Sequence, residues 1–482
     1  MFNVYSEFFT KQFIGGRWVD SASAELTDVE NPALMQPFAK IPAGCPADAE
    51  AAIEAAAAAL PAWSGTTVEK RIALMQKLFD AMTEASEAIA ALETDELGAP
   101  AQYARKKHCD YQLSRIPAYI EQLRTIDFEY RRTKAFVRVE PVGVVSCITP
   151  WNYPLGQIIQ KVVPAILMGN TVVLKPSSHA PLTAVVLAEC FRKAGFPAGV
   201  FNLVSGVGSR MGDTLASHPK VAMVSFTGST ALGRKLGAIA GANLKKVNLE
   251  LGGKSPCVWL PGMSDYEPAC RTLFNSAFLN AGQTCTSLSR LIMPESMLPQ
   301  VRELFQKLLP RYKTGNPLDT STVVGPVISR AQYDRVSDYI RLGCEEGAEL
   351  FAGKIPPANP VDGYFIDPVI FMNVKPDMRI AQEEIFGPVL CVLTYKTIEE
   401  AIEIANGTPY GLSALLYGPI DEVRALAARI DSGNVFLNDA PRDITAPFSG
   451  FKASGLGCES GREGLLEFAR LKSVFDGVKI TR

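Results

Sequence analysis

From Gly143 onward the chain alternates short apolar runs with helical stretches, and that alternation admits few folds. Strand-like runs fall at 144–148, 171–174, 200–204 and 222–226, and helical periodicity fills 157–168, 181–194 and 231–240. Strands separated by helices at this spacing form parallel βαβ units with helices on both faces. A second series starts after Gly252. Its strands are predicted at 255–260, 288–293, 388–395, 414–417 and 434–437, and its helices at 266–279, 297–311, 330–346, 398–405 and 422–430. The reading is an α/β protein with two domains that meet close to Glu250-Leu251-Gly252-Gly253.

Ahead of Gly143 the pattern differs. Phe13-Ile14-Gly15-Gly16-Arg17-Trp18-Val19 reads as a strand with a Gly-Gly turn at a sheet edge, followed by helices over 48–60, 68–91 and 101–123. Two β-prone segments, 128–138 and 472–480, fit neither series and suit a small sheet between subunits. With 482 residues the chain has room for about three domains. Apolar residues make up 47%, enough for a buried core. A formal net charge of −2 leaves no basic footprint for nucleic acid and no polybasic patch for a membrane. No secretory signal and no run of 18 apolar residues is present. The ten cysteines lie far apart, which predicts free thiols in a reducing cytoplasm, without disulfides or a metal site.

One of those cysteines stands apart. In Asn280-Ala281-Gly282-Gln283-Thr284-Cys285-Thr286-Ser287, Cys285 falls on a turn or helix end, where a thiol can project into a cavity beside free N–H groups. Packing alone is the other use of such a residue. Pro150-Trp151-Asn152-Tyr153-Pro154 follows a strand and precedes a helix, where open α/β sheets bind ligands. Asn152 there is either a rigid amide donor or a helix cap. Lys175, ending the strand of Leu174-Lys175-Pro176-Ser177-Ser178, either reaches a ribose or phosphate or is simply solvated. Phe226-Thr227-Gly228-Ser229-Thr230 is a strand, a Gly turn and a helix start, suited to a phosphate or to ordinary capping. Glu250 sits among apolar residues, which raises a carboxylate pKa and suits a general base; pairing with Lys246 or Lys254 is the alternative. None of the three histidines has a catalytic-looking setting, so a carboxylate is the better base. Glu383-Glu384-Ile385-Phe386-Gly387-Pro388 and the Gly-rich loop from Pro447 to Gly457 complete the set.

Together these motifs resemble the aldehyde dehydrogenase superfamily, in order and over nearly the whole chain: PWNYP, LKPS, FTGST, ELGGKSP, GQTC, EEIFGP and PFSGFKASG. The resemblance implies an NAD(P)-binding Rossmann-like domain (1–122 and 142–252), a catalytic domain (253–455) and bridging segments (123–141 and 456–482) that build a homodimer or homotetramer. It implies Cys285 as nucleophile, Glu250 as the base that activates water, Asn152 with the Cys285 N–H as oxyanion hole, and Lys161 and Glu459 in proton relay. Cofactor contacts carried over are Ile148, Pro150, Trp151, Lys175, Ser178, Gly228, Ser229, Leu251, Glu384 and Phe386. Tyr153, Gln157, Gln160, Thr286, Phe448 and the segment 439–445 are expected at the aldehyde tunnel. Their mix of polar and aromatic groups hints at a medium-sized or aromatic aldehyde.

Members that prefer NAD commonly carry Glu where this chain has Ser178. A hydroxyl can donate to a 2′-phosphate that a carboxylate repels, so NADP is expected to be accepted. Alternative readings are a semialdehyde-specific or CoA-acylating relative, a non-catalytic protein that kept the fold, and a cofactor-free cysteine hydrolase. Glu250, which acylating members typically lack, favours hydrolysis. Intact Cys285, Asn152 and Glu250 favour an enzyme.

Overall fold

The computed structural model describes residues 2–263 and 265–475. Two large sheets carry the chain. The first has eight strands in the order Arg17–Asp20, Lys11–Ile14, Phe201–Leu203, Thr171–Lys175, Val144–Ile148, Val221–Thr227, Lys246–Glu250, Gly455–Leu456. Its five middle strands run parallel, and the 11–14/17–20 hairpin closes one edge as expected. Strands Val144–Ile148 and Thr171–Lys175 are buried at every residue, which is why they read as unbroken apolar runs: helices cover both faces.

The second sheet has seven strands in the order Glu349–Ala352, Val369–Met372, Val389–Tyr395, Arg290–Pro294, Pro256–Trp259, Ser413–Tyr417, Asn434–Leu437. All pairs are parallel except the first. The pair Gly455–Leu456 crosses back to lie antiparallel on Lys246–Glu250, setting Glu250 opposite Gly455. A third, three-stranded sheet joins Glu129–Arg132, Ala135–Pro141 and Ala469–Phe475. The two orphan β-prone segments thus pair with each other, and residues 476–480 of the second lie outside the described residues.

Several elements differ from the sequence reading. The helix expected over 68–91 is two, Val68–Glu84 and Ser86–Leu97, meeting at Ala85 with no Gly or Pro to mark the break. The helix expected over 101–123 contains a π-helical stretch at Ala104–Asp110. Helix Gly208–Ser217, the hairpin Leu26–Asn31/Gln36–Pro42 and strand Lys246–Glu250 were not anticipated, nor were Glu349–Ala352 and Val369–Met372. Among the described residues no helix is long and apolar enough to cross a membrane.

Candidate active site

Cys285 follows helix Glu267–Phe278 and a tight turn, Leu279–Gly282. Asn280, Ala281 and Gly282 have φ of 55°, 53° and 70°, three successive left-handed residues. Side chains disfavour that region, so neighbours must hold it. Asn280 Nδ2 donates to the Asn152 carbonyl (2.9 Å) and Gln283 Nε2 donates back to the Asn280 carbonyl (3.0 Å). Gln283 Oε1 accepts from the Ile328 N–H at 2.8 Å. A Cβ on Gly282 would lie 2.2 Å from the Gly387 carbonyl oxygen, so only glycine fits there.

Asn152 arrives from the other sheet, just past strand Val144–Ile148. Its Nδ2 donates to the Gln283 carbonyl at 3.1 Å, which occupies one N–H and leaves the second. Among the described residues the Cys285 N–H donates to no acceptor. The thiol is half-buried, and desolvation pushes its pKa up to about 12, with the charges of Glu384 and Glu250 adding to the effect.

Glu250 ends strand Lys246–Glu250 and is only 3% exposed. Both carboxylate oxygens are buried and, among the described residues, have no hydrogen-bond partner. Burial first, and then the charge of Glu459, hold its pKa well above the ordinary range, against the pull of Lys161 and Arg442. Neither Lys246 nor Lys254 pairs with it: Lys246 bridges to Glu467, and the Lys254 Nζ is itself buried, with no hydrogen-bond partner among the described residues. Beside Glu250, Lys161 and Glu459 form an ion pair with side chains 0% and 1% exposed. Gly252 and Gly253 then let the chain squeeze past; a Cβ on Gly253 would sit 2.4 Å from the Cys285 carbonyl oxygen.

The residues expected at a dinucleotide gather along the carboxyl ends of the first sheet. Ile148 ends one strand, Pro150 and Trp151 follow it, and the Trp151 ring meets Phe386 edge-on at 5.4 Å. Phe386 itself has φ of 62°, a strained conformation that aims its ring. Gly228 donates to the Glu250 carbonyl (3.0 Å), and the Ser229 hydroxyl caps helix Thr230–Ala242 through Leu232 N–H. Leu251 packs into the space that a side chain on Gly233 would take. Lys175 is buried, and the hydrogen bond recorded for its ammonium runs to the Pro176 carbonyl (2.8 Å). Burial lowers its pKa to about 8. Ser178 stands three residues on, half-buried. Glu384 accepts from the Gly253 N–H at 3.0 Å. An under-satisfied ammonium, a capped helix N-terminus and a carboxylate with spare acceptor capacity fit the ribose and phosphate groups of NAD(P).

A cavity of about 240 Å³ opens onto Cys285, lined by Tyr153, Gln157, Gln160, Thr286 and Phe448 as expected. Of the segment 439–445 only Arg442 reaches it; Asp439 instead accepts from Thr272 Oγ1 at 2.8 Å. One wall was missed in the sequence: Tyr103, Lys107, Tyr111, Gln112 and Arg115. The spacing 103, 107, 111, 115 was the available signal, a Tyr-Lys-Tyr-Arg stripe on one helical face. The π-helical stretch lies in its middle, a feature frequent at functional sites. His108 is buried behind this wall, stacked on Tyr153 at 4.6 Å with Nδ1 3.2 Å from Glu93 Oε2. The Tyr153 hydroxyl lies 3.0 Å from both Tyr103 Oη and Thr284 Oγ1.

Comparison with known proteins agrees with this geometry. The profile of the Aldehyde dehydrogenase family matches residues 18–474. A Staphylococcus epidermidis relative with a provisional aldehyde dehydrogenase name is 44% identical over 472 residues, 97% of this chain and 98% of that protein. Aldehyde dehydrogenase C of Pseudomonas syringae, solved as a cysteine-to-alanine variant with NAD+ and octanal, superposes with a TM-score of 0.96 at 38% identity, covering 98% of both chains. Betaine aldehyde dehydrogenase of Staphylococcus aureus, solved with NAD+, gives 0.93 at 34% identity, covering 98% and 96%.

Proposed function

The chain belongs to the aldehyde dehydrogenase family, and from that premise we propose that it oxidises its aldehyde to the free carboxylic acid through a thioester on Cys285, hydrolysed by water that Glu250 activates. That it is an NAD(P)-dependent aldehyde dehydrogenase follows from the family and its NAD-bound structural relatives. The observation that carries the finer reading is the Glu250 carboxylate, buried without a hydrogen-bond partner among the described residues, its charge acting on the half-buried Cys285 thiol.

The Cys285 sulfur adds to the aldehyde carbon as a thiolate, its proton having passed to solvent through the cavity that opens onto it. The carbonyl electrons move to oxygen, and the second Asn152 N–H and the Cys285 N–H donate hydrogen bonds to that oxyanion. NAD(P), when bound, would supply the acceptor for the hydrogen that leaves the substrate carbon together with the two electrons of its C–H bond. The oxyanion collapses, the carbonyl re-forms and the acyl group stays on sulfur. Glu250 then draws a proton from water, which attacks the thioester, releases the acid and restores the thiol. Lys161 and Glu459 lie behind Glu250 as the route by which its proton leaves.

Strand Ala469–Phe475 forms an edge of the small sheet with six of its seven residues exposed, and Phe475 is 79% exposed. An unpaired edge carrying apolar side chains supports a homodimer or homotetramer joined there. The spread of ten free thiols supports a cytoplasmic setting. Formation of reduced nicotinamide with a panel of aldehydes, run beside Cys285→Ala, tests the mechanism. We expect turnover with release of free acid, and loss of turnover in the variant; an active Cys285→Ala enzyme or acyl-CoA as the product overturns it.

A further inference from the structure

The cavity above Cys285 is cationic, and among the described residues no acid lines it. Lys107, Arg115 and Arg442 face it, and the remaining lining residues are Tyr, Gln, Gly, Thr, Cys and Phe. Arg442 is half-buried and its guanidinium lies over the Phe448 ring at 4.3 Å. Among the described residues it donates no hydrogen bond and joins no ion pair, although most arginines of this chain find a carboxylate. Arg115 is buried, and among the described residues its acceptors are all neutral: Gln112 Oε1 at 2.9 Å, Gln160 Oε1 at 3.2 Å and Ser460 Oγ at 3.4 Å. Burial and the like charge of Arg115 both work against the charged form of Arg442.

Two guanidinium groups without a counterion, facing one enclosed space, are unfavourable until an anion enters. Structural pairing does not account for Arg442: Glu250, a carboxylate whose charge acts on it, makes no hydrogen bond with it among the described residues. Lys107, exposed beside Tyr111, adds positive potential at the mouth, which raises the encounter rate of anions.

We propose that the preferred substrates are aldehydes bearing a remote carboxylate, held by Arg442 with Arg115 behind it. The inference rests on the reading of Cys285 as nucleophile, because that residue fixes which end of the cavity takes the aldehyde. A carboxylate is the match for a guanidinium fork, and the cavity volume of about 240 Å³ suits a short chain between the two groups. Neutral aldehydes remain substrates but forgo this contact, and an ω-ammonium aldehyde meets repulsion.

The test compares succinic semialdehyde with its methyl ester, which keeps the chain and removes the charge, in wild type and in Arg442→Gln. A charge-assisted contact predicts a kcat/KM preference for the acid of roughly ten- to a hundredfold, weakened by salt and largely lost in the variant. Succinate should also inhibit turnover of the ester competitively, and this keeps the idea open to test if the variant folds poorly. Equal kcat/KM for acid and ester, or no inhibition by succinate, overturns the proposal while leaving the enzyme an aldehyde dehydrogenase. Failure of every aldehyde to reduce either coenzyme removes the mechanism instead, and this inference with it.

Discussion

Asn152 Nδ2 donates to the carbonyl of Gln283 at 3.1 Å, two residues before Cys285, and so ties the first sheet to the turn that carries the thiol. The bond fixes the plane of the amide and aims its second N–H. Asn152→Ala removes the donor without touching the sulfur. We expect kcat/KM to fall by about a hundred- to a thousandfold, the usual cost of losing one oxyanion donor. Alkylation of Cys285 by a small haloacetamide should persist, because the nucleophile remains. A loss below about tenfold would show that Asn152 serves only to hold the turn.

Glu250→Gln separates the two halves of the reaction. The amide cannot accept the proton of water, so thioester hydrolysis stops while transfer to sulfur can still occur once. The expected trace is a burst of reduced coenzyme near one equivalent per active site, followed by turnover slowed by at least about a hundredfold. For wild type the pH sign follows from the raised Glu250 pKa: the base is protonated at low pH, so hydrolysis accelerates as pH rises. A variant that turns over steadily at the wild-type rate contradicts the assignment.

Cofactor choice turns on Ser178. No carboxylate stands there, and Lys175 nearby has only a carbonyl partner, so a 2′-phosphate meets a hydroxyl and an ammonium. NADP should therefore support turnover, and Ser178→Glu should cut kcat/KM for NADP by about tenfold or more relative to NAD through like-charge repulsion. Wild-type enzyme that uses NAD alone would remove the argument.

Much of this was legible in the sequence, for a physical reason. Strands such as Val144–Ile148, buried on both faces, must be apolar throughout, and the residues that end them must be the polar groups that meet ligands. That is how Lys175 announces itself; Glu250 stands out differently, as an acid among apolar residues ahead of Gly252-Gly253. Three kinds of feature were hidden. The left-handed run Asn280-Ala281-Gly282 carries only one glycine; long-range bonds from Asn280 to Asn152 and from Gln283 to Ile328 hold the rest, and these do not show in local sequence. Strand Glu349–Ala352 is half-buried at an edge and too short for a period. His108 sits in a stretch with Arg105, Lys106 and Lys107 that reads as a solvated face, yet the π-helical stretch turns it inward onto Tyr153.

Stability should also carry a pH signature from helix Ser86–Leu97. Glu93 accepts from the Leu155 N–H (3.2 Å), and Glu96 from the N–H groups of Leu182 (2.8 Å) and Thr183 (3.3 Å), so one helix caps two others. Burial, and then the charge of Glu93, raise the Glu96 pKa from 4.5 to about 8 despite those donors. The folded state thus binds a proton that the unfolded state has released, and stability falls as pH rises from 4.5 to about 8. Glu96→Gln should lose about 1–3 kcal/mol at pH 5 by forfeiting an acceptor, and should flatten that slope. Denaturant melts across the range measure both; a slope as steep in the variant would place the proton elsewhere.

Lys161 and Glu459 provide the sharpest test of how Glu250 is tuned, because their charges act on it with opposite sign. Glu459 raises the Glu250 pKa and Lys161 lowers it. Glu459→Gln removes the negative charge and leaves an unpaired ammonium, so the rising limb of the hydrolysis profile should move to lower pH. Lys161→Met removes the positive charge and leaves a bare carboxylate, so the same limb should move to higher pH. Each change breaks a buried pair and should cost about 3–5 kcal/mol of stability, so the profiles belong well below the melting temperature. A pair that merely braces helix Pro154–Leu167 against the 459 loop would lower stability in both variants and shift neither limb. Opposite displacements, by contrast, require that the Glu250 carboxylate is the group whose titration controls hydrolysis.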